Sequence, residues 1–270
     1  MENRNGHVED LKRIEEALNA AAEVLRRYHR DNLRVDYKTG DDPVTAADHA
    51  ANEVLRNLLL RPGEGWLSEE TVDDLSRRKY GRVWIVDPLD GTREFVAGIP
   101  EWCVSVGLLL DGEAVAGGIC NPATGELIIG AHGLGVSYNC TPVQVSRRAS
   151  LAGATILASR SEIKRGKWQE FENQEFTVRP MGSVAYKLGL VAAGLADATW
   201  TLTPKHEWDV AAGVALVRAG RGFVRSPDDE PLRFNSESLL FPGLVAGGEL
   251  LEDQVMTALN GKARAAAKSA

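Results

Sequence analysis

Residues 84–92 read WIVDPLDGT. The apolar, strand-like run from Val83 to Val86 leads directly into Asp87 and Asp90, which flank Pro88 and Leu89, and the stretch stops at Gly91 and Thr92. Two carboxylates at the end of a buried strand cost several kcal/mol, of the order of 3–5, if nothing compensates them. Their placement needs a partner.

With Pro88 and Gly91 shaping a turn after the strand, both carboxylates and the Leu89 carbonyl are expected to point to one spot. An all-oxygen set suits a hard cation, Mg²⁺ above all, which takes one or two carboxylates and keeps its waters for phosphate oxygens. An Asx-turn between strands is the plainer account of the same residues. An EF-hand is excluded, because Leu89 and Gly91 stand where that loop needs oxygen side chains.

Upstream, Leu11, Ile14, Leu18, Ala21, Ala22 and Leu25 recur at helical spacing between Val8 and Arg30, which predicts an amphipathic helix. After the polar break DYKTGDDP a second helix is expected, with Thr45 as its N-cap, Asp48 at the capping-box position and an end near Pro62. Downstream of the opening stretch, β-type runs at Trp102 to Leu110, Ala114 to Cys120 and Glu126 to Gly130 alternate with DGE and NPATGE turns. That is the pattern of an antiparallel meander.

From about residue 150 the pattern changes to strand and helix in alternation. Strands are expected in TILAS, FTVRP, ATWTL and LLFPGLVAG, and helices after Ser161 and in SVAYKLGLVAAGL, WDVAAGVALVRAG and ELLEDQVMTAL, with the tail GKARAAAKSA frayed. Residues 1–145 thus read as an α+β half and 146–270 as an α/β half.

The 270 residues suffice for a substantial core, and 44% hydrophobic with 26% charged residues is ordinary globular composition. A net charge of −7 gives no electrostatic reason to expect a nucleic acid or an anionic membrane as partner. No apolar run approaches the roughly 20 residues of a membrane span, and MENRNGHVEDLK lacks the basic start and apolar middle of a signal peptide, so the expected location is cytoplasmic. Cys103, Cys120 and Cys140 are distant and odd in number, which predicts buried free thiols rather than a zinc site or disulfides.

Further acids accompany the opening pair: Asp48 in VTAAD, Glu69 and Glu70 in WLSEE, and Asp209 in HEWDVAAG. Each has a local account, as capping-box acid, solvated loop charge, or first-turn acid complementing a helix dipole. Together with DPLDGT, and with the W-D-x-A-A-G stretch about 120 residues later, they resemble the inositol monophosphatase superfamily of Mg²⁺-dependent, lithium-sensitive phosphomonoesterases. The resemblance runs from Leu11 to Leu259. It implies an α/β (α+β) fold, the layered αβαβα sandwich of the inositol monophosphatase and fructose bisphosphatase type, with two or three Mg²⁺ ions between its halves.

It also implies roles. Glu69, Asp87 and the Leu89 carbonyl would hold one ion, while Asp87, Asp90 and Asp209 would hold another. Thr92, with Asp48 behind it, would orient and deprotonate the attacking water, and the amides of Gly91 and Thr92 would hold the phosphate. The residue types suit the chemistry, since cations neutralise an anionic ester, lower the pKa of a bound water and stabilise the leaving oxygen. The partner is then a small phosphorylated metabolite, and a homodimer is what many relatives form.

For the substrate, Leu202 stands where inositol monophosphatases carry a glutamate that binds inositol hydroxyls. The run DGTREF and the Ser-Arg-Ser segment at Ser159, Arg160 and Ser161 look more like the nucleotide 3′,5′-bisphosphate phosphatase (CysQ-type) branch, which removes the 3′-phosphate of phosphoadenosine phosphate. There Arg160 would meet the second phosphate or stack on the base. A capping box from Ser159 to Glu162 with a solvated Arg160 is the plainer alternative. Lys187 and Lys205 read as surface residues, and His206 and Trp208 as packing that fixes Asp209. An inositol or broad sugar phosphatase, and an inactive scaffold of the same fold, remain the rival functions.

Overall fold

The first helix, α1 (Glu2–Arg27), carries the predicted stripe: Ile14, Leu18, Ala21, Ala22 and Leu25 are all buried. It packs with α2 (Ala46–Leu59), which ends before Pro62 as expected because proline cannot continue the hydrogen-bond ladder. In this computed structural model the described residues are 2–28, 35–37, 43–171 and 174–266. The side chain of Thr45, the expected N-cap, lies outside the described residues, as do the last four residues of the tail. A short antiparallel ladder, β1 (Val35–Tyr37) with β2 (Pro43–Thr45), joins the two helices.

Against these helices lies a seven-stranded sheet. It comprises β3 (Gly65–Ser68), β4 (Arg82–Asp90), β5 (Cys103–Leu110), β6 (Glu113–Asn121), β7 (Glu126–Ala131), β8 (Gly135–Tyr138) and β9 (Thr141–Val143), paired in that order. Only the β3–β4 pair is parallel. The short helix α3 (Thr92–Ala97) follows β4 at once. Both faces of β4 are buried: Trp84 and Val86 pack with α1 and α2, while Val83 and Ile85 join the core on the other side. An unbroken apolar run is what such a doubly covered strand requires.

The second sheet contains β10 (Thr155–Ser159), β11 (Thr177–Met181), β12 (Ala198–Thr201), β14 (Gly222–Arg225) and β16 (Leu244–Gly248), in the order β11-β10-β12-β16-β14. A two-residue ladder, β13 (Lys205–His206) with β15 (Leu240–Phe241), stands apart from it. The helices α4 (Arg160–Lys164), α5 (Val184–Ala192), α6 (Glu207–Ala219) and α7 (Glu252–Ala266) complete the chain. Leu188, Val191, Ala211 and Val214 of α5 and α6 share one core with Ile85 and Ile119 of the first sheet and Leu157 and Ala246 of the second. On the far side Leu251, Val255 and Leu259 cover Ile156, Trp200 and Phe223. The order is therefore helix, sheet, helix, sheet, helix, the expected αβαβα layering.

Several elements differ from the sequence reading. LLFPGLVAG splits at Pro242 and Gly243 into β15 and β16, which belong to different sheets. The strands β3, β8, β9 and β14 are too short for a periodicity to show. The DPLD segment is not a turn after the strand but the end of β4 itself, with a register shift between Asp87 and Asp90. The tail is helical as far as Ala266, and Cys140 is exposed while Cys103 and Cys120 are buried. Among the described residues no helix is long and apolar enough to cross a membrane.

Candidate metal centre

The irregularity in β4 sets the site. Between Asp87, opposite Ser105, and Asp90, opposite Cys103, the chain carries an extra residue relative to β5, so Pro88 and Leu89 form a bulge. Asp87 Oδ1 accepts a hydrogen bond from the Leu89 amide at 3.0 Å, the Asx-turn that residue type favours. The Asx-type bond of the plain account is therefore present, but inside a bulge of β4 rather than in a turn between strands. Gly91 follows with φ 97°, and a Cβ there would lie 2.9 Å from the Glu101 carbonyl, so only glycine fits.

Asp90 reaches across to α5. Its Oδ2 accepts from the Ser183 hydroxyl at 2.7 Å and from the Ala185 amide at 2.6 Å. Ser183 is the N-cap of α5, its Oγ also accepting from the Tyr186 amide at 3.0 Å, and its φ of 50° is rare for a residue with a Cβ. The helix expected over SVAYKLGLVAAGL includes Ser183, whereas in the fold Ser183 precedes α5 as its cap and supports a site carboxylate that spacing does not connect to it. The signal for the cap was present in Gly182-Ser183 ahead of an apolar helical run.

Asp209 arrives on α6. Its Oδ2 accepts from the His206 amide at 2.9 Å, which is the reciprocal bond of a capping box. The helix comes close enough because its inner face is small: a Cβ at Gly107 would sit 2.9 Å from Ala211, and one at Gly117 2.7 Å from the Ala212 carbonyl. The A-A of WDVAAG is therefore a packing requirement that carries the aspartate to the sheet. His206 itself is exposed, its ring stacked on Trp208 with centroids 4.4 Å apart, so its backbone rather than its side chain fixes Asp209.

One carboxylate oxygen from each of Asp87, Asp90 and Asp209 lies within 4.8 Å of the others. Burial, followed by the charges of Glu69, Asp90, Asp209 and Asp48, holds the Asp87 carboxyl well above the usual carboxylate range. Burial, then Asp90 and Glu69, pushes Asp209 up to about 8, against the opposing pull of Lys205 and the His206 amide. Four other predicted acids, Glu69, Asp90, Asp209 and Asp48, are thus within electrostatic reach of Asp87. Glu69 faces the same cavity, whereas Glu70 turns away, its buried carboxylate 3.3 Å from His49 Nδ1.

The cavity has a volume of about 340 Å³ and lies between the sheets, with Glu69, Asp87, Asp90 and Asp209 on one side. Leu89, Gly91 and Thr92 line it as expected, and the Thr92 hydroxyl donates to the Leu89 carbonyl at 3.1 Å. Arg160 lines it too but is paired with Glu101, which also accepts from the Gly182 amide at 2.8 Å. Ser159 caps α4 through the Glu162 amide; the Glu162 carboxylate does not return the bond but is buried against Trp168 Nε1, the Leu202 amide and the Thr203 hydroxyl.

Lys187 corrects an expectation, being 2% exposed rather than on the surface. Its Nζ donates to the Gly182 and Ser183 carbonyls, and burial lowers its pKa to about 8 although Asp90 opposes the shift. Glu94, a further residue that the spacing did not single out, lines the cavity with its carboxyl pushed up by burial and by the charge of Asp90. Carboxylate oxygens that raise one another's pKa, with one carbonyl beside them, form a donor set suited to a hard divalent cation.

The chain resembles known proteins over nearly its whole length. The sequence profile of the inositol monophosphatase family matches residues 8–263. An inositol-1-monophosphatase of Mesorhizobium japonicum is 34% identical over 257 residues, covering 91% of this chain and 94% of that protein. The solved inositol monophosphatase of Anabaena superposes with a TM-score of 0.81 at 30% identity, covering 95% and 97% of the two chains. The structure of CysQ from Bacteroides thetaiotaomicron, described as a bacterial member of the same family, gives 0.72 at 28% identity over 89% and 97%.

Proposed function

The chain belongs to the inositol monophosphatase family of metal-dependent phosphatases, and from that premise we propose that it hydrolyses the phosphate monoester of a small polyol or sugar, with inositol 1-phosphate the leading substrate. The observation that carries the reading is the convergence of Asp87, Asp90 and Asp209 oxygens within 4.8 Å at the wall of a cavity of about 340 Å³. That volume is at the lower end of the range, about 300–1,000 Å³, of small-molecule pockets. Against the inactive-scaffold alternative stands the convergence of Asp87, Asp90 and Asp209 in one cluster.

Within this reading Glu69, Asp87, Asp90, Asp209 and the Leu89 carbonyl hold Mg²⁺. When bound, the ion supplies charge neutralisation of the ester and acidifies a water. Asp90 is kept in place by Ser183 and the Ala185 amide, and Asp209 by the His206 amide. The Thr92 hydroxyl, with its proton directed to the Leu89 carbonyl, offers lone pairs that orient the attacking water. Asp48, which the family resemblance sets behind Thr92, would be the acceptor of the proton that this water gives up. The Gly91 and Thr92 amides bind the phosphate oxygens.

The named relatives favour the inositol reading over the nucleotide one, and so does Arg160, whose guanidinium is engaged by Glu101 rather than extended toward a second phosphate. Leu202 still lacks the inositol-binding carboxylate, which is why the substrate class is drawn as small polyol and sugar esters. A nucleotide 3′,5′-bisphosphate is the second reading, supported by Lys187 and Lys205 lining the cavity and by the likeness to CysQ.

Phosphate release from inositol 1-phosphate, a hexose phosphate and phosphoadenosine phosphate, each with and without Mg²⁺, decides between them. The expected result is Mg²⁺-dependent turnover with the polyol and sugar esters ahead. Preference for phosphoadenosine phosphate would transfer the assignment to the second reading.

A further inference from the structure

Glu69, which follows β3, and Asp209, in the first turn of α6, come from segments far apart in the sequence. Behind them lie two buried charged residues whose hydrogen bonds run from one segment to the other. Arg77, with a fully buried side chain, sits in the 3₁₀ turn Ser76–Lys79 of the β3–β4 connection. Its guanidinium grips Asp73 at 2.9–3.2 Å, then reaches the Asn235 side-chain oxygen at 2.5 Å and the Ser236 carbonyl at 2.7 Å.

The same two residues present their amides to Glu207. Asn235 N–H donates to Oε2 at 2.8 Å, Ser236 N–H to Oε1 at 3.0 Å, and the Ser236 hydroxyl to Oε1 at 3.1 Å. Asn235 has φ 62°, the left-handed conformation that turns consecutive amides toward one anion. Glu207 is 1% exposed, is the first residue of α6, and ties its own amide to the Leu239 carbonyl at 2.8 Å. The chain from Arg77 to Glu207 therefore ends two residues before Asp209 and begins eight residues after Glu69.

A buried network of this kind stabilises any fold, and that is the plain account of it. Its location argues for more. It connects the segment bearing Glu69 with the helix turn bearing Asp209 by hydrogen bonds that pass through Asn235 and Ser236, and neither Arg77 nor Glu207 lines the cavity. Groups that orient the ligands of a cation govern its affinity as much as they govern stability.

We infer that Arg77 and Glu207, joined through Asn235 and Ser236, are positioning residues that hold the first turn of α6 so that Asp209 meets the cation bound by Asp87 and Asp90. This rests on the metal reading of the acidic cluster. The test is Mg²⁺ titration calorimetry on the full chain, alongside metal-free melting temperatures, for the wild type, Glu207→Ala, Glu207→Gln and Ser236→Ala. Tyr138→Phe, which loses its hydroxyl bond to Glu126 and belongs neither to this network nor to the carboxylate cluster, serves as the stability control.

The expected result is Mg²⁺ affinity weakened about 10–100-fold in Glu207→Ala, with partial recovery in Glu207→Gln and wild-type affinity in Tyr138→Phe. Should Glu207→Ala fail to fold, Glu207→Gln and Ser236→Ala carry the test, each expected to bind Mg²⁺ more weakly than the control at matched melting temperature. Wild-type affinity in the folded Glu207 and Ser236 variants overturns the inference alone. Absence of Mg²⁺ uptake by the wild type overturns the metal reading beneath it.

Discussion

The Ser183 hydroxyl donates to Asp90 Oδ2 at 2.7 Å while its oxygen accepts the Tyr186 amide at 3.0 Å. A single side chain thus caps α5 and fixes a carboxylate of β4, tying the first sheet to the helical layer between the sheets. The bond joins residues distant in sequence, and together with the Ala185 amide it holds the Asp90 carboxylate at the cluster.

Replacing Ser183 by alanine removes both bonds at once. The buried Tyr186 amide loses its acceptor and Asp90 a donor, a cost of about 1–3 kcal/mol. Thermal unfolding should register that loss, and phosphate release should fall at least tenfold because Asp90 gains rotational freedom. Unchanged turnover in a folded Ser183→Ala protein would show that Asp90 needs no support from α5.

Gly91→Ala should be worse than its size suggests. The φ of 97° costs an L-residue about 1–2 kcal/mol, and the added Cβ would lie 2.9 Å from the Glu101 carbonyl. The loop that carries Thr92 must move. We expect a lowered melting temperature and loss of Mg²⁺-dependent turnover, both read on the purified variant; wild-type values for both would mean the loop accommodates a methyl group.

Removal of metal should invert the usual pH dependence of stability. An unfolded aspartate releases its proton near 3.8, whereas Asp209 in the metal-free fold holds it up to about 8, and Asp87 is shifted the same way. Across that window the folded state binds more protons than the unfolded one, so stability falls as pH rises. Melting curves in EDTA should decline from acid toward pH 8, and Mg²⁺ should reverse the decline while releasing protons. A metal-free melting temperature that climbs through the window would contradict the raised carboxylates.

At the opposite end of the first sheet Glu64 gives the ordinary sign. Burial alone would raise its pKa, but Arg13 at 2.7 and 3.0 Å, Trp84 Nε1 at 2.9 Å and Arg82 Nε at 2.7 Å bring it from 4.5 to about 2. Its contribution is complete above 4.5 and is lost as pH falls toward about 2. Glu64→Gln should therefore destabilise the protein at neutral pH and flatten the acid limb of its stability curve. An acid limb identical to the wild type would assign that limb to other carboxylates.

The amphipathic stripe of α1, the apolar strand β4 and the alternation of strand and helix after residue 150 were all legible in the chain, because burial imposes a period on the residues that supply it. Asp87 and Asp90 stood out as costly carboxylates at the end of an apolar strand, whereas Asp48, Glu69 and Asp209 joined them only through the resemblance of their motifs to a family. Short edge strands such as β8 and β14 carry no such period. Nor could spacing tell that Lys187 is buried, that Ser183 caps a helix and holds Asp90, or that Arg160 is spent on Glu101. Those facts depend on which atoms meet across two sheets, and side-chain pairing at long range leaves no local trace in the residues that make it. The order of residues specified which groups were available for chemistry; folding alone brought three aspartate oxygens within 4.8 Å and chose the hydrogen bonds that keep them there.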